Sequence, residues 1–331
     1  MTTVIRRRRP LVVLLAVFGL LLSACSTGPG QANAAAIVNG KTIGVDRVQE
    51  LVDKARQAEP AVQQLADQRK LDLLSRAVLR QLVLHELIAA HTAKETLAIN
   101  EATVTELAGQ LTSSLQPLPT DGSASPEQIV DQAVNRAFEP TEIARDYLAL
   151  AEIGRKQAPG LSVTFDFTLV APGGPDDKPG SLREKAIAKA NQLAVGLDEA
   201  GKIIDADMAG GLQAARGETI TPSLAPDIAG SVLFGAPLNS VIAFQPNPQN
   251  AGWVVAVIRK RETNATPGPD DKPADARLAT TLGPRMLQDT SQRVGVEISP
   301  RYGVWDLAGM EIAPSEGETK GVVIPIKNAG Q

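Results

Sequence analysis

The spacing of apolar residues changes twice along this chain, and the two changes limit the architectures open to it. Val48, Leu51, Val52 and Ala55 recur at i, i+3, i+4 and i+7, one face of an amphipathic helix that Pro60 interrupts. Over residues 61–97, Leu65, Leu71, Leu74, Val78, Leu82, Leu87 and Ile88 continue the pattern as one long helix or two, with a wide apolar face. Asp46 and Asn100 can each cap a helix, and Ser125-Pro126-Glu127-Gln128 carries a Ser N-cap, Pro at the first helical position and Gln placed for a capping box. Thr141 opens a last helix, with Ile143, Tyr147, Leu148 and Ala151 inward, which Pro159-Gly160 ends. Ahead of these helices, Ala35 to Ile43 reads as a hairpin about an Asn39-Gly40 turn. Residues 35–158 are therefore an essentially helical module.

At Leu161 the period becomes that of a strand: Ser162 to Val170 alternates. An amphipathic helix over 182–200, ended by Gly201, follows; then a short helix over 226–234 and strands over 241–244 and 253–258. Residues 161–262 read as α/β. Residues 263–275 are a linker, and its Pro269-Asp270-Asp271-Lys272-Pro273 repeats Pro175-Asp176-Asp177-Lys178-Pro179, either as matching breaks about one inserted domain or as coincidence between two solvated turns. Helical spacing then returns in Leu278, Leu282, Met286 and Val294, with a kink or split expected at Gly283-Pro284. A strand over 296–299 precedes the cluster Pro300 to Asp306, and 313–331 reads as a loose tail. An isolated amphipathic helix needs a partner for its apolar stripe, so residues 276–312 are expected to pack back on the helical module. The fold class is α+β, a helical module completed by the C-terminal helix and interrupted by an α/β insert.

What lies before the hairpin constrains location rather than fold. Arg6 to Arg9, an aliphatic run from Leu11 to Leu22 and the small residues Ser23 and Ala24 form an export signal, too short to span the roughly 20 residues a membrane helix needs. Leu22-Ser23-Ala24-Cys25 resembles a bacterial lipobox. That resemblance implies cleavage between Ala24 and Cys25, acylation of the Cys25 sulfur, and anchoring at the outer face of the cell membrane through diacylglycerol and a further chain such as palmitate. Residues 25–34 would be the tether. Cys25 is the single cysteine, so no disulfide forms within the chain and the fold rests on packing. Removing residues 1–24 takes four arginines and no acidic residue, leaving 29 basic against 37 acidic residues, a net charge of −8. With that charge and no basic stripe, nucleic acid is not expected as a partner.

Chemistry-bearing patterns are few. His85 and His91 stand six apart, about 120° around a helix, where two ligands of one metal need the roughly 40° of an i, i+4 pair. The carboxylates Asp176-Asp177, Asp270-Asp271 and Glu297 lack calcium-loop spacing, and neither a phosphate loop nor a Gly-x-Ser-x-Gly elbow occurs. No metal, cofactor or catalytic residue is expected. In a chain with only ten aromatic residues, Trp253, Tyr302 and Trp305 are expected as core anchors.

The hairpin Ala36-Ile37-Val38-Asn39-Gly40-Lys41-Thr42-Ile43, the helix behind Asp46 and the block Leu79 to Ile88 leading to Ala98-Ile99-Asn100 resemble the N-terminal chaperone module of SurA- and PrsA-type foldases. The resemblance implies an extracytoplasmic helical module that cradles unfolded clients, with a parvulin-type prolyl isomerase domain inserted before its final helix. Residues 161–262 have a parvulin-like order of elements, and Gly252 to Val257 resembles that domain's closing strand. Parvulin sites carry a histidine in the first strand and another in the last; here Phe167 and Val254 stand there, and no histidine follows His91. The function this implies is a membrane-anchored chaperone that binds unfolded or exported polypeptides without catalysis, through an apolar face including Leu65, Leu74, Val78, Leu82 and Met286. An active peptidyl-prolyl isomerase, or a scaffold lipoprotein docking one envelope partner, would be the other readings.

Overall fold

The computed structural model describes residues 33–93, 97–173, 179–247, 249, 251–266 and 274–328. Its first elements are strands β1 (Ala34–Val38) and β2 (Lys41–Gly44), paired antiparallel with Val38 opposite Lys41. Asn39 and Gly40 both take positive φ, 52° and 73°, the left-handed pair a two-residue hairpin turn requires. Helix α1 (Val45–Ala58) buries Val48, Leu51, Val52 and Ala55. Gly44 occupies its N-cap; Asp46 lies within the first turn, and its carboxylate accepts from Asn33 Nδ2 at 2.9 Å.

The long periodic segment is two helices, α2 (Val62–Asp67) and α3 (Leu71–Thr92), parted where Arg69 takes a φ of 57°. Asn100 caps α4 (Glu101–Ser114) by accepting from the Ala102 amide, and Ser125 with Gln128 forms a complete capping box on α5 (Pro126–Ala137). Such a cap is worth about 1 kcal/mol. Helix α6 (Pro140–Gln157) starts one residue before Thr141, with Pro140 at its first position.

The α/β segment holds more than its periodicity shows. Strand β3 (Ser162–Val170) leads to two helices, α7 (Pro179–Leu193) and α8 (Leu197–Ala209), in place of one. Gly201 does not end a helix. It lies inside α8, where a Cβ would come within 3.0 Å of the Arg216 guanidinium. Next comes a strand without an apolar signature, β4 (Ala214–Ile220). The segment 226–234 is two single 3-10 turns rather than a helix. Strands β5 (Ser240–Phe244) and β6 (Trp253–Glu262) follow.

Helix α9 (Ala276–Val294) runs through Pro284 as one helix, without the split that Gly283-Pro284 allowed. It lies along α6, and the two helices approach so closely that a methyl group on Gly154 would sit 1.9 Å from the Ala279 carbonyl oxygen, and one on Gly283 2.1 Å from that of Leu150. Gly283 is thus a contact residue. Strand β7 (Val296–Ile298) then pairs with β1, closing a three-stranded sheet from both ends of the chain.

Strands β8 (Val304–Asp306) and β9 (Glu311–Ala313) form a small hairpin against α3. Two partly buried arginines hold it: Arg80 donates to the Met310 carbonyl at 3.0 Å and Arg285 to that of Ala308 at 2.6 Å. Burial lowers the Arg285 pKa to about 10, which still leaves it charged at neutral pH. The expected loose tail is a further strand, β10 (Gly321–Pro325), at the outer edge of a five-stranded antiparallel sheet ordered β10-β5-β6-β3-β4.

One face of that sheet is covered by α7 and α8, where Leu182, Leu193 and Ile204 meet Val241, Val255 and Val257. The opposite face, including Val163, Phe165, Ile242 and Ile258, joins the helical module in one continuous core through Val232, Leu233 and Phe234 and the α9 residues Leu282, Met286 and Leu287.

Candidate functional site

The residues expected to form an exposed client face are mostly core. Leu65, Leu74 and Val78 have no exposed surface and Met286 is 5% exposed. Packing of α2 and α3 on α1 and α5, and of α9 on the insert, consumes the stripe. Exposing any one of these side chains would cost about 1.5–3 kcal/mol. The expectation of an open face through them is therefore corrected; Leu82 alone of the five is only partly buried.

Leu82 lines a cleft between α3 and α6 with a volume of about 60 Å³, room for one side-chain tip or a few waters. Phe138 and Ile143 supply its other apolar walls; Arg47, Gln81, His85, Glu142 and Asp146 supply the polar ones. At its base the Asp146 carboxylate, 8% exposed, accepts from His85 Nδ1 at 2.9 Å and Gln81 Nε2 at 3.1 Å. The hydrogen bond to Asp146 raises the His85 pKa, outweighing the opposing effect of burial. His91 Nδ1 lies 3.1 Å from Thr290 Oγ1 on α9. The two histidines thus face different helices, α6 and α9, as their angular separation on α3 requires.

A wider groove of about 400 Å³ lies between the start of α4, the end of α6 and the start of α9. Ile99, Leu148, Ala151, Ala276 and Ala279 line it, and the Glu152–Arg155 ion pair borders it. Its small side chains give breadth without depth.

Phe167 and Val254 lie on neighbouring strands, with Phe167 opposite Ala256 and Val254 opposite Leu169, and both pack from the sheet face that meets the helical core. Phe165 and Phe167 form a tilted ring pair, their centroids 5.9 Å apart. These apolar groups offer no proton donor to a peptide bond. A buried charge group that the periodicity did not mark lies on the other face, beneath α8: Asp166, 2% exposed, accepts from Arg259 Nε at 2.7 Å and from the Gly217 amide at 2.8 Å. It ties three strands together, and alternation sets Asp166 among the polar, outward positions of its strand, so no sequence signal marks it as buried.

Trp253 and Tyr302 are buried, and Trp305 Nε1 donates to Ser291 Oγ at 2.9 Å, so the large aromatics are anchors. Among the described residues no cluster of three metal-ligating side chains occurs and no helix is long and apolar enough to cross a membrane. Ala24 and Cys25 lie outside the described residues, as does the Pro-Asp-Asp-Lys-Pro pair but for Pro179.

The fold defines a protein in which a helical module, built from segments on either side of a sheet domain, is interrupted by that domain. Residues 4–136 match the family described as the SurA-like N-terminal domain, a span that takes in the hairpin and the helices from α1 to nearly the end of α5. That domain is consistent with chaperone-like binding of unfolded polypeptides. Comparison with curated proteins found no match.

Proposed function

We propose that this protein is a membrane-tethered, extracytoplasmic chaperone that holds unfolded polypeptides without catalysis, with a parvulin-like insert that has lost its imidazoles. The observation that carries the reading is the coincidence of the SurA-like match with the helical module; the parvulin resemblance of the sheet domain, with Phe167 and Val254 in place of histidine, and the lack of any histidine after His91 support the non-catalytic part. Rotation about a prolyl bond faces a barrier of about 20 kcal/mol, and apolar side chains supply desolvation but no hydrogen bond to a twisted amide. Clients would be met along α6, at the cleft beside Leu82 and Ile143 and at the groove beside Leu148 and Ala151. Non-directional apolar contact at these places suits polypeptides that share no sequence.

Soluble protein beginning after Cys25 tests this with two measurements. It should slow aggregation of a chemically denatured client at stoichiometric concentration, and it should turn over a Xaa-Pro peptide no faster than buffer. Absence of the first effect overturns the chaperone reading; isomerisation above background makes the protein a foldase.

A further inference from the structure

Asp146 is a buried carboxylate whose hydrogen-bonding partners across the α3–α6 seam are a half-exposed imidazole and a neutral amide. A buried anion depends on its counter-charge, and here that charge is one that titrates near neutrality. Other charged groups around His85 are Glu142 on α6, Glu86 on its own helix, Arg47 on α1 and Lys41 on β2. Lys41 is engaged by Glu86 at 2.8 Å and Arg47 by Glu50 at 2.9 Å, and α5 contributes only the apolar Phe138 at its end. The surroundings of His85 are thus net acidic and favour its protonated form.

Helix α6 is packed tightly against α9 and α4, whereas its contact with α3 is narrow and includes this polar pair. We propose that His85 and Asp146 form a pH-responsive latch on the α3–α6 seam, closed while the imidazole carries its proton and loosened when it is lost, so that the cleft walled by Leu82, Phe138 and Ile143 opens to an apolar side chain of a bound polypeptide. The last clause rests on the chaperone reading; the latch itself does not.

The sign follows from linkage. The folded imidazole holds its proton more tightly than the unfolded one, because of Asp146. The stabilisation is therefore complete below the ordinary imidazole pKa, about 6.5, and is lost as pH rises through the higher folded value. Above it, neutral Nδ1–H still donates, but the buried carboxylate then faces neutral donors alone.

Three readouts on the soluble protein beginning after Cys25, without client, test the latch. The sequence has two histidines, so proton NMR resolves both rings. His85 should titrate above the free imidazole midpoint and return toward it in Asp146→Asn. Amide protection in the first turns of α6, corrected for intrinsic exchange, should fall across the His85 titration while protection in α9 holds. Uptake of an apolar dye should rise over the same interval, and His85→Gln, which keeps a donor but does not titrate, should flatten both profiles. A normal His85 midpoint in the wild type overturns the latch even if the variants fail to fold, and so does a pH response that persists in His85→Gln. Because no polypeptide is present, failure of the chaperone reading leaves these readouts unchanged.

Discussion

The two glycines at the α6–α9 crossing show how one atom can set the distance between helices. Gly154 and Gly283 each face a backbone carbonyl of the other helix, and backbone cannot rotate away as a side-chain tip can. Gly154→Ala should therefore destabilise the protein by at least the roughly 1–3 kcal/mol typical of overpacking, read as a lower urea midpoint. Gly109, exposed on α4, has nothing within 4 Å of the place a methyl group would take, so Gly109→Ala should stabilise by up to about 1 kcal/mol through helix propensity alone, read as a higher midpoint. The two substitutions are identical in chemistry and opposite in expected sign. Sequence offers no means of separating them: Gly283-Pro284 reads as a break because propensity is local, whereas the reason for the glycine is a carbonyl on another helix. The histidines were more legible. Their six-residue spacing excluded a shared metal, and they do serve separate neighbours, although neither Asp146 nor Thr290 could be named as a partner in advance.

Element by element, the sequence reports what is stabilised locally. The hairpin turn, the Asn100 cap and the Ser125 capping box appear where the residues place them. The strands at the two edges of the five-stranded sheet do not. Strand β4, Ala-Ala-Arg-Gly-Glu-Thr-Ile, is largely exposed and bends where Asp166 takes the Gly217 amide, so it carries no alternation to detect. Strand β10 is five residues long and its partner β5 lies some eighty residues earlier; only that partner makes it a strand. Every residue of β5 is buried and four of its five are apolar, so without β10 a largely apolar edge would stand open to intermolecular pairing. A chain ending at Ala313 should lose amide protection in residues 241–243 and elute from size exclusion as larger species. Unchanged protection and a monomeric profile would show that β10 is dispensable to the sheet.

For the molecule as a whole, connectivity matters more than any single contact. The chain begins in the helical module, leaves it for the sheet, returns through α9 and β7, and ends in the sheet again with β10, so each module contains a segment that the other precedes. Separating them would expose the core shared through Phe234 and Met286, which argues for movement at the α3–α6 seam rather than between modules. The lipid anchor proposed at Cys25 belongs to this scale because it would act on location and not on packing. Cys25→Ala should leave the melting temperature of the exported protein unchanged and move it from the membrane fraction to the soluble one; retention in the membrane would count against acylation at Cys25. The sequence by itself determined the helical character of residues 35–158, the Asn100 and Ser125 caps, the lone thiol and the absence of imidazole beyond His91, since all of these are local or compositional. Only the tertiary structure decided that Leu65, Leu74, Val78 and Met286 are core while Leu82 borders a cleft, and that the segment expected as a loose tail is a strand. The physical reason is that periodicity identifies a face to be buried, whereas what covers that face is settled between segments far apart in the chain, by whichever pairing removes the most apolar surface from water.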